Sequence, residues 1–403
     1  MTRFPNSPAI PGGFRGHDPD FQTAGNRVMS PESVIASAAG KVSTFQAARY
    51  EVLAGFDGFV DEIIDVVDQR AGYNDYTRVE TIAALAERIG HAAGLSDNLE
   101  LVLRRMKLGG NGPIMANALL QAGCQVTYIG CLGKDHIHPV FAEMAARCKA
   151  CYSLCDPGHT DALEFRDGKL MLVKQQSLNE ANYARMLEVV GLPKLRAAWE
   201  SAHLVALANW TMLNMQTEIW KRLLQDMADV KPPSGAIIFV DLADPEKRPP
   251  RELAEALLLL KGFRRTHQVV LGVNQKESLE IGVALGLGLK PDDIQANAAV
   301  LRRALALDIV VIHPTRNAAC ATERGGAVMD GPYCPNPKLT TGAGDNFNAG
   351  FCVGLLAGLE TQELLAAGTA SSGFYVRQGR SPSTRELAAF MGEWAARYGD
   401  PAF

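Results

Sequence analysis

No stretch of the sequence is apolar for the roughly 20 residues that a membrane-spanning helix requires, so no membrane partner is expected. Basic residues are not in surplus either: 40 Lys and Arg stand against 44 Asp and Glu, a formal net charge of −4. Nucleic-acid binders show clustered positive charge, so no nucleic-acid partner is expected. The opening run MTRFPNSPAIPGGF lacks the unbroken apolar stretch of a secretory signal. Cysteine is limited to eight irregularly spaced residues, which excludes a disulfide framework and suits reduced thiols in a cytoplasmic protein. Apolar side chains are scarce before Ser30, where Pro5, Pro8, Pro11, Gly12, Gly13, Gly16 and Pro19 crowd together. Residues 1–30 are therefore expected to form a flexible arm.

What is present suffices for a large core, since 47% of the 403 residues are hydrophobic. PESVIASAAGKVSTFQAAR opens with Pro31 and is expected to be a helix. Short apolar runs follow as YEVLAGF, CQVTYIGCLG, HLVALANW, AIIFVDLA, HQVVLGVN and LDIVVIHPT. Amphipathic stretches such as PIMANALLQAG, QTEIWKRLLQDMADV, RELAEALLLLKGF and AVLRRALAL separate them. This alternation predicts an α/β fold with a mainly parallel, doubly wound sheet over residues 31–403. Two regions interrupt it. Between 61 and 107, EIIDVVDQR and LELVLRRMK flank a helical stretch; between 151 and 174, CYSLC and ALEFRDGKLMLV resemble a hairpin turning at Asp167-Gly168. Both are expected to build a small β lid, the alternative being an extension of the main sheet.

Four segments can carry chemistry. In KLTTGAGDNFNAG, the turn Gly342-Ala343-Gly344 precedes a helix expected to start at about Asp345. Backbone amides at a helix N-terminus make an anion site, and a carboxylate there is costly beside a phosphate unless it accepts a proton. Asp345 is thus a candidate general base, though a Gly-rich turn capped by Thr341 or Asp345 gives the same pattern. Asn274 and Glu277 follow the run VVLGV at the spacing of a capping box, and Glu277 can also orient water around magnesium. The pair Gly109-Gly110 before Asn111 permits close approach of a ligand, or is a plain strand-to-helix turn. Asp57 and Asp61, after the first strand, lie where open α/β sheets bind ligands and can grip sugar hydroxyls, unless the turn is merely solvated. Cys148, Cys151, Cys155 and His159 have a loose metal-like spacing without a second cysteine pair.

In this order the segments resemble the ribokinase-like (PfkB-type) carbohydrate kinases, over the body from about Tyr50 to Met391 and most specifically in TTGAGDNFNAG. The resemblance implies a site between a doubly wound domain and a small β lid. It implies Asp345 as base, the amides of Gly342, Ala343 and Gly344 as anion hole, and Asn274 and Glu277 as organisers of magnesium and phosphate. Asp61, with Asp57, falls where the family holds substrate hydroxyls, and Gly110 and Asn111 belong to the same substrate side. Three departures stand out. Leu339 occupies the position of a family ligand for a monovalent cation, and Ile114 replaces an Asn. The stretch from Ile312 to Arg316 replaces a Gly-containing nucleotide loop, leaving Thr315, Arg316 and Thr341 as nucleotide contacts. GGNGPIMAN and His313-Pro314-Thr315 are similar to ADP-dependent sugar kinases of the same superfamily, a comparison that adds Glu164 as a substrate contact.

These readings converge on a magnesium-dependent kinase using ATP, or alternatively ADP, on a hydroxyl of a sugar or related small molecule. A silent sugar- or nucleotide-binding regulator on the same fold is the competing expectation. The expected partners are the sugar-like substrate and a nucleotide, with a homodimer left open.

Overall fold

The computed structural model describes residues 29–400 and 403; the expected arm over residues 1–30 lies almost wholly outside the described residues. Two sheets organise the chain. The larger contains β1 (Glu51–Gly55), β5 (Gln125–Gly130), β6 (Ala150–Ser153), β9 (Leu204–Leu207), β10 (Ile237–Asp241), β11 (Gln268–Val273), β12 (Ile309–Ile312), β13 (Asn317–Thr322) and β14 (Gly325–Asp330). Their spatial order is β14-β13-β12-β11-β10-β9-β1-β5-β6. All neighbours are parallel except the β12–β13 and β13–β14 pairs.

Period-two geometry explains why helices cover both faces. In β1, Val52 and Ala54 enter one apolar core while Leu53 enters the other. The first core packs helices Pro31–Thr44, Asn111–Ala122, Ala343–Leu356 and Thr361–Gln378 against the sheet. The second packs helices Leu192–Ser201, Gln216–Asp226, Pro250–Phe263 and Ile294–Leu305. Strands β9, β10 and β12 are buried along their whole length, the signature of a sheet covered on both sides.

The smaller sheet comprises β2 (Phe59–Arg70), β3 (Tyr76–Arg78), β4 (Leu101–Gly109), β7 (Gly158–Phe165) and β8 (Gly168–Lys174). Its order is β3-β2-β7-β8, with β4 also paired to β2. Ile64, Val66 and Leu163 on one face pack against Leu85 of helix Ile82–His91. The expected hairpin is corrected in two respects. CYSLC contributes β6 to the edge of the main sheet, and the β7–β8 turn falls on Arg166-Asp167, with Phe165 paired to Gly168. The expected opening helix ends at Thr44, before Gln46.

The chain passes between the sheets at the C-terminal end of β1, at the end of β4, just before β7 and after β8. These crossings lie beside β1, where strand order reverses between β9 and β5, which is where α/β sheets hold ligands.

Candidate active site

A cavity of about 1240 Å³ opens here, lined by strand ends of the main sheet, one face of the smaller sheet and the start of helix Ala343–Leu356. Gly342 caps that helix at φ +96°, and a Cβ there would stand 2.8 Å from the Tyr375 hydroxyl, so the turn requires glycine. The helix begins at Ala343 rather than Asp345, because the Gly342 carbonyl already accepts the first intrahelical bond, from the Asn346 amide at 3.0 Å; the Ala343 amide donates to the Thr340 carbonyl at 3.1 Å. That bond removes Ala343 from the expected three-amide anion hole. The amides of Gly342 and Gly344 find no acceptor among the described residues, and all three residues line the cavity.

Asp345 is the third residue of this helix, within its first turn, 7% exposed, and accepts a hydrogen bond from Asn111 Nδ2 at 3.0 Å. Burial pushes its carboxyl up to about 8 against the opposing effect of Asn111. A carboxylate so raised is a strong proton acceptor, the property a general base needs. Asn111 and Gly110 both line the cavity.

The two N-terminal aspartates part company. Asp57 is fully buried and accepts from the amides of Asn111 (3.0 Å) and Gly112 (2.8 Å) and from Asn209 Nδ2 (2.6 Å). It does not line the cavity, so the expected grip on sugar hydroxyls is corrected to an anchor for helix Asn111–Ala122. Burial raises its carboxyl to about 6 although all three bonds favour the charge. Asp61 does line the cavity, with Lys107 Nζ 3.5 Å away, and its carboxyl is raised by burial. The glycine pair makes room for these two carboxylates: a Cβ on Gly109 would meet Asp61 Oδ1 at 2.3 Å, and one on Gly110 would meet Asp57 Oδ2 at 2.8 Å. The two carboxylates fill the Cβ side of the glycine pair, and Gly110 still lines the cavity.

Asn274 and Glu277 are a capping box and cavity-lining residues at once. Glu277 accepts from the amides of Asn274 (2.8 Å) and Asp244 (3.0 Å), and burial raises its carboxyl. Beside them is Asp241, unrecognised from sequence, which accepts from the Ala243 amide (2.9 Å) and Asn348 Nδ2 (2.7 Å). Burial holds Asp241 well above the ordinary carboxylate range, with the Glu277 and Asp345 charges adding to the effect. The signal available was AIIFVDLA, a buried strand ending on a carboxylate; Asn209, at the end of HLVALANW, carried a similar one.

Among the described residues, no group of three or more metal-ligating side chains converges. The oxygens of Glu277 and the Asn274 Oδ1 each already accept a backbone hydrogen bond. This donor set fits an ion held through water together with phosphate oxygens, the usual habit of magnesium, and does not fit a protein-only cage.

Thr315, Arg316 and Thr341 also line the cavity. The Arg316 guanidinium stacks on Tyr333, 3.8 Å from the ring centre. His313 stacks on Phe347 at 4.4 Å, and its buried Nε2 has no partner among the described residues. Burial lowers that imidazole to about 4. Thr341 Oγ1 accepts from Lys169 Nζ at 2.6 Å. Glu164 pairs with Lys169 across the β7–β8 hairpin, on the strand face that carries the cavity-lining Thr160, and its carboxylate lies 3.8 Å from Lys169 Nζ. Cys148 and Cys151 pack against one core and Cys155 within the other, so the loose cysteine spacing does not gather its members.

With this geometry in hand, the chain can be set beside known proteins. A family model described as prokaryotic ketohexokinase matches residues 36–394. A ketohexokinase of Haloferax volcanii is 30% identical over 341 residues, which span 84% of this chain and 90% of that one. In fold, the chain is similar to a phosphofructokinase-2 mutant from Escherichia coli (TM-score 0.61, 14% identity, 87% of this chain and 100% of that one). It is also similar to ribokinase from Thermotoga maritima (TM-score 0.58, 15% identity, 85% and 98%) and to Arabidopsis thaliana ribokinase complexed with ribose and ATP (TM-score 0.57, 14%, 86% and 99%).

Proposed function

The chain belongs to the prokaryotic ketohexokinase family, a branch of the ribokinase-like (PfkB-type) sugar kinases, and from that premise we propose that it transfers a phosphoryl group from ATP, with magnesium, to a hydroxyl of a ketohexose. It is a carbohydrate kinase, a phosphotransferase with an alcohol acceptor, which removes the silent-regulator alternative.

The observation that carries the mechanism is the buried Asp345 at the Gly342 turn, held by Asn111 and raised to about 8. In our reading the acceptor hydroxyl gives its proton to Asp345 as its oxygen attacks phosphorus. The amides of Gly342 and Gly344 then stabilise charge on the transferring group. Asp61, Gly110 and Asn111 hold the sugar, with Asn209 added to that side because it too lines the cavity. Thr315, Arg316 and Thr341 hold the nucleotide. Magnesium arriving with the nucleotide would meet Glu277 and Asn274 through water and would neutralise phosphate charge. The smaller sheet acts as the lid, excluding water that would otherwise compete as acceptor. Incubating the enzyme with ATP, magnesium and a panel of ketohexoses, aldohexoses and pentoses tests this. Ketohexose phosphate is the expected main product, and a preference for an aldose or pentose would overturn the acceptor class.

A further inference from the structure

We propose that Lys169, carried by the smaller sheet, is a catalytic residue whose ammonium holds the transferring phosphoryl group against the Gly342 turn. The proposal rests on the kinase reading above and adds to it the cation that meets the phosphate.

Strand β8 places this side chain. Met171 and Val173 line the cavity, and alternate residues of a strand share a face, so Lys169 projects from the same face. Its Nζ reaches across to Thr341 Oγ1 at 2.6 Å, one residue before Gly342. The nearest carboxylate oxygen, on Glu164, stands at 3.8 Å, beyond hydrogen-bond length. The other lysines around the cavity are paired, Lys107 with Asp61, Lys247 with Asp244, and Lys276 with Glu246 and Glu280, while Arg316 lies on the Tyr333 ring. Among the described residues, Lys169 is the one cation hydrogen-bonded to residues 340–345. An ammonium has three donors, and Thr341 takes one.

Charge at this turn calls for such a group. Asp345, Asp241 and Glu277 already line the cavity, and a nucleotide adds further negative charge. Leu339, two residues before Thr341, has no oxygen in its side chain to hold a cation. In the step proposed, the acceptor oxygen bonds to phosphorus while the bond from phosphorus to the nucleotide's bridging oxygen breaks. The acceptor's proton passes to Asp345. Lys169 keeps its proton, and its bonds to the non-bridging oxygens strengthen as charge develops there.

Lys169→Ala and Lys169→Met test the proposal, with Asp345→Asn measured alongside. Loss of one charged donor is expected to lower kcat about 100-fold with Tm nearly unchanged. The sugar KM should stay within about threefold, since the contact is made to the transferring group. Lys169→Arg should retain more activity than either, and added methylammonium should partly restore the Ala variant. Near-normal kcat in both truncations, or a loss that tracks a fall in Tm and that neither arginine nor amine relieves, would overturn it. If the wild type phosphorylates no ketohexose, the acceptor reading fails by itself. Lys169 is then judged by binding of ADP with aluminium fluoride against ADP alone: Lys169→Ala should weaken the former more, and equal losses would sink the proposal.

Discussion

Asn111 and Asp345, 234 positions apart in the chain, meet through one hydrogen bond of 3.0 Å from the Asn111 side-chain amide to the Asp345 carboxylate. Each lies in the first turn of its own helix, Asn111–Ala122 and Ala343–Leu356, and the two helices pack together. The carboxylate thus sits where the positive ends of two helices converge. That arrangement offsets part of the cost of burial without removing it, since the Asp345 carboxyl still stands at about 8.

A raised base has a pH signature. Asp345 must be ionised to accept a proton, so kcat/KM should rise with pH and level off above about 8. Asp345→Asn should reduce turnover by at least about 100-fold and abolish that limb. Stability moves in the opposite direction. A carboxyl whose folded value exceeds its unfolded one contributes stability below the ordinary carboxylate range that is lost as pH rises through about 8. The Asn variant should therefore gain Tm relative to the wild type at pH 9 more than at pH 6, measured by thermal unfolding at both. A flat rate profile with an unaltered stability difference would remove Asp345 as the base.

Much of this was legible in the chain, for physical reasons that differ by element. Runs such as AIIFV are apolar throughout because both faces are covered, and that is visible without a structure. The Gly342 turn was visible because only glycine tolerates its backbone, but its helix begins two residues earlier than expected because the bond from the Asn346 amide to the Gly342 carbonyl is invisible in composition. The β13–β14 hairpin was missed: NAACAT and GGAVMD are built from small residues with a weak strand signal. Asp57 was misassigned because sequence cannot tell a carboxylate facing a cavity from one facing a helix N-terminus that lies 54 positions further along the chain. Lys169 escaped notice because its contact with Thr341 depends on how two sheets face each other.

The corrected role of Asp57 is itself testable. Asp57→Ala leaves the amides of Asn111 and Gly112 and the Asn209 side chain without their acceptor, all in the interior. Stranding a buried network of this kind should cost about 3–5 kcal/mol, read from chemical denaturation. Asn209→Ala, removing one donor of the three, should cost less. Were Asp57 instead a sugar ligand, its alanine variant would raise the sugar KM with stability preserved.

Potassium gives a second separation from the wider family. Leu339 cannot coordinate a cation through its side chain, and Thr340 has its carbonyl engaged by Ala343. Initial rates should therefore show weak or no saturable activation as potassium replaces a bulky organic cation at constant ionic strength. Strong saturable activation would mean that backbone carbonyls alone build the site.

The phosphate donor is the last question, and the turn bears on it. If, as proposed, the amides of Gly342 and Gly344 receive the group being transferred, an ATP enzyme needs room behind them for two more phosphates and an ADP enzyme for one. From that turn the cavity continues past His313 and Thr315 to Arg316, whose guanidinium lies on Tyr333. Arg316 can meet a phosphate in either case, so it does not discriminate. His313 is more informative. Its buried Nε2 lacks a partner, and an unsatisfied polar atom in the interior costs roughly 1–3 kcal/mol until something binds it. A nucleotide bound as proposed, between the turn and Arg316, would run beside this ring. His313→Phe should then keep or raise Tm without nucleotide while raising the nucleotide KM, and it should leave the sugar KM alone. With the wild type, ATP should give faster transfer than ADP at matched concentrations in preparations free of adenylate kinase. Faster transfer from ADP would reverse the choice of donor, and His313→Phe would still report which nucleotide touches the ring, because only that donor's KM should rise.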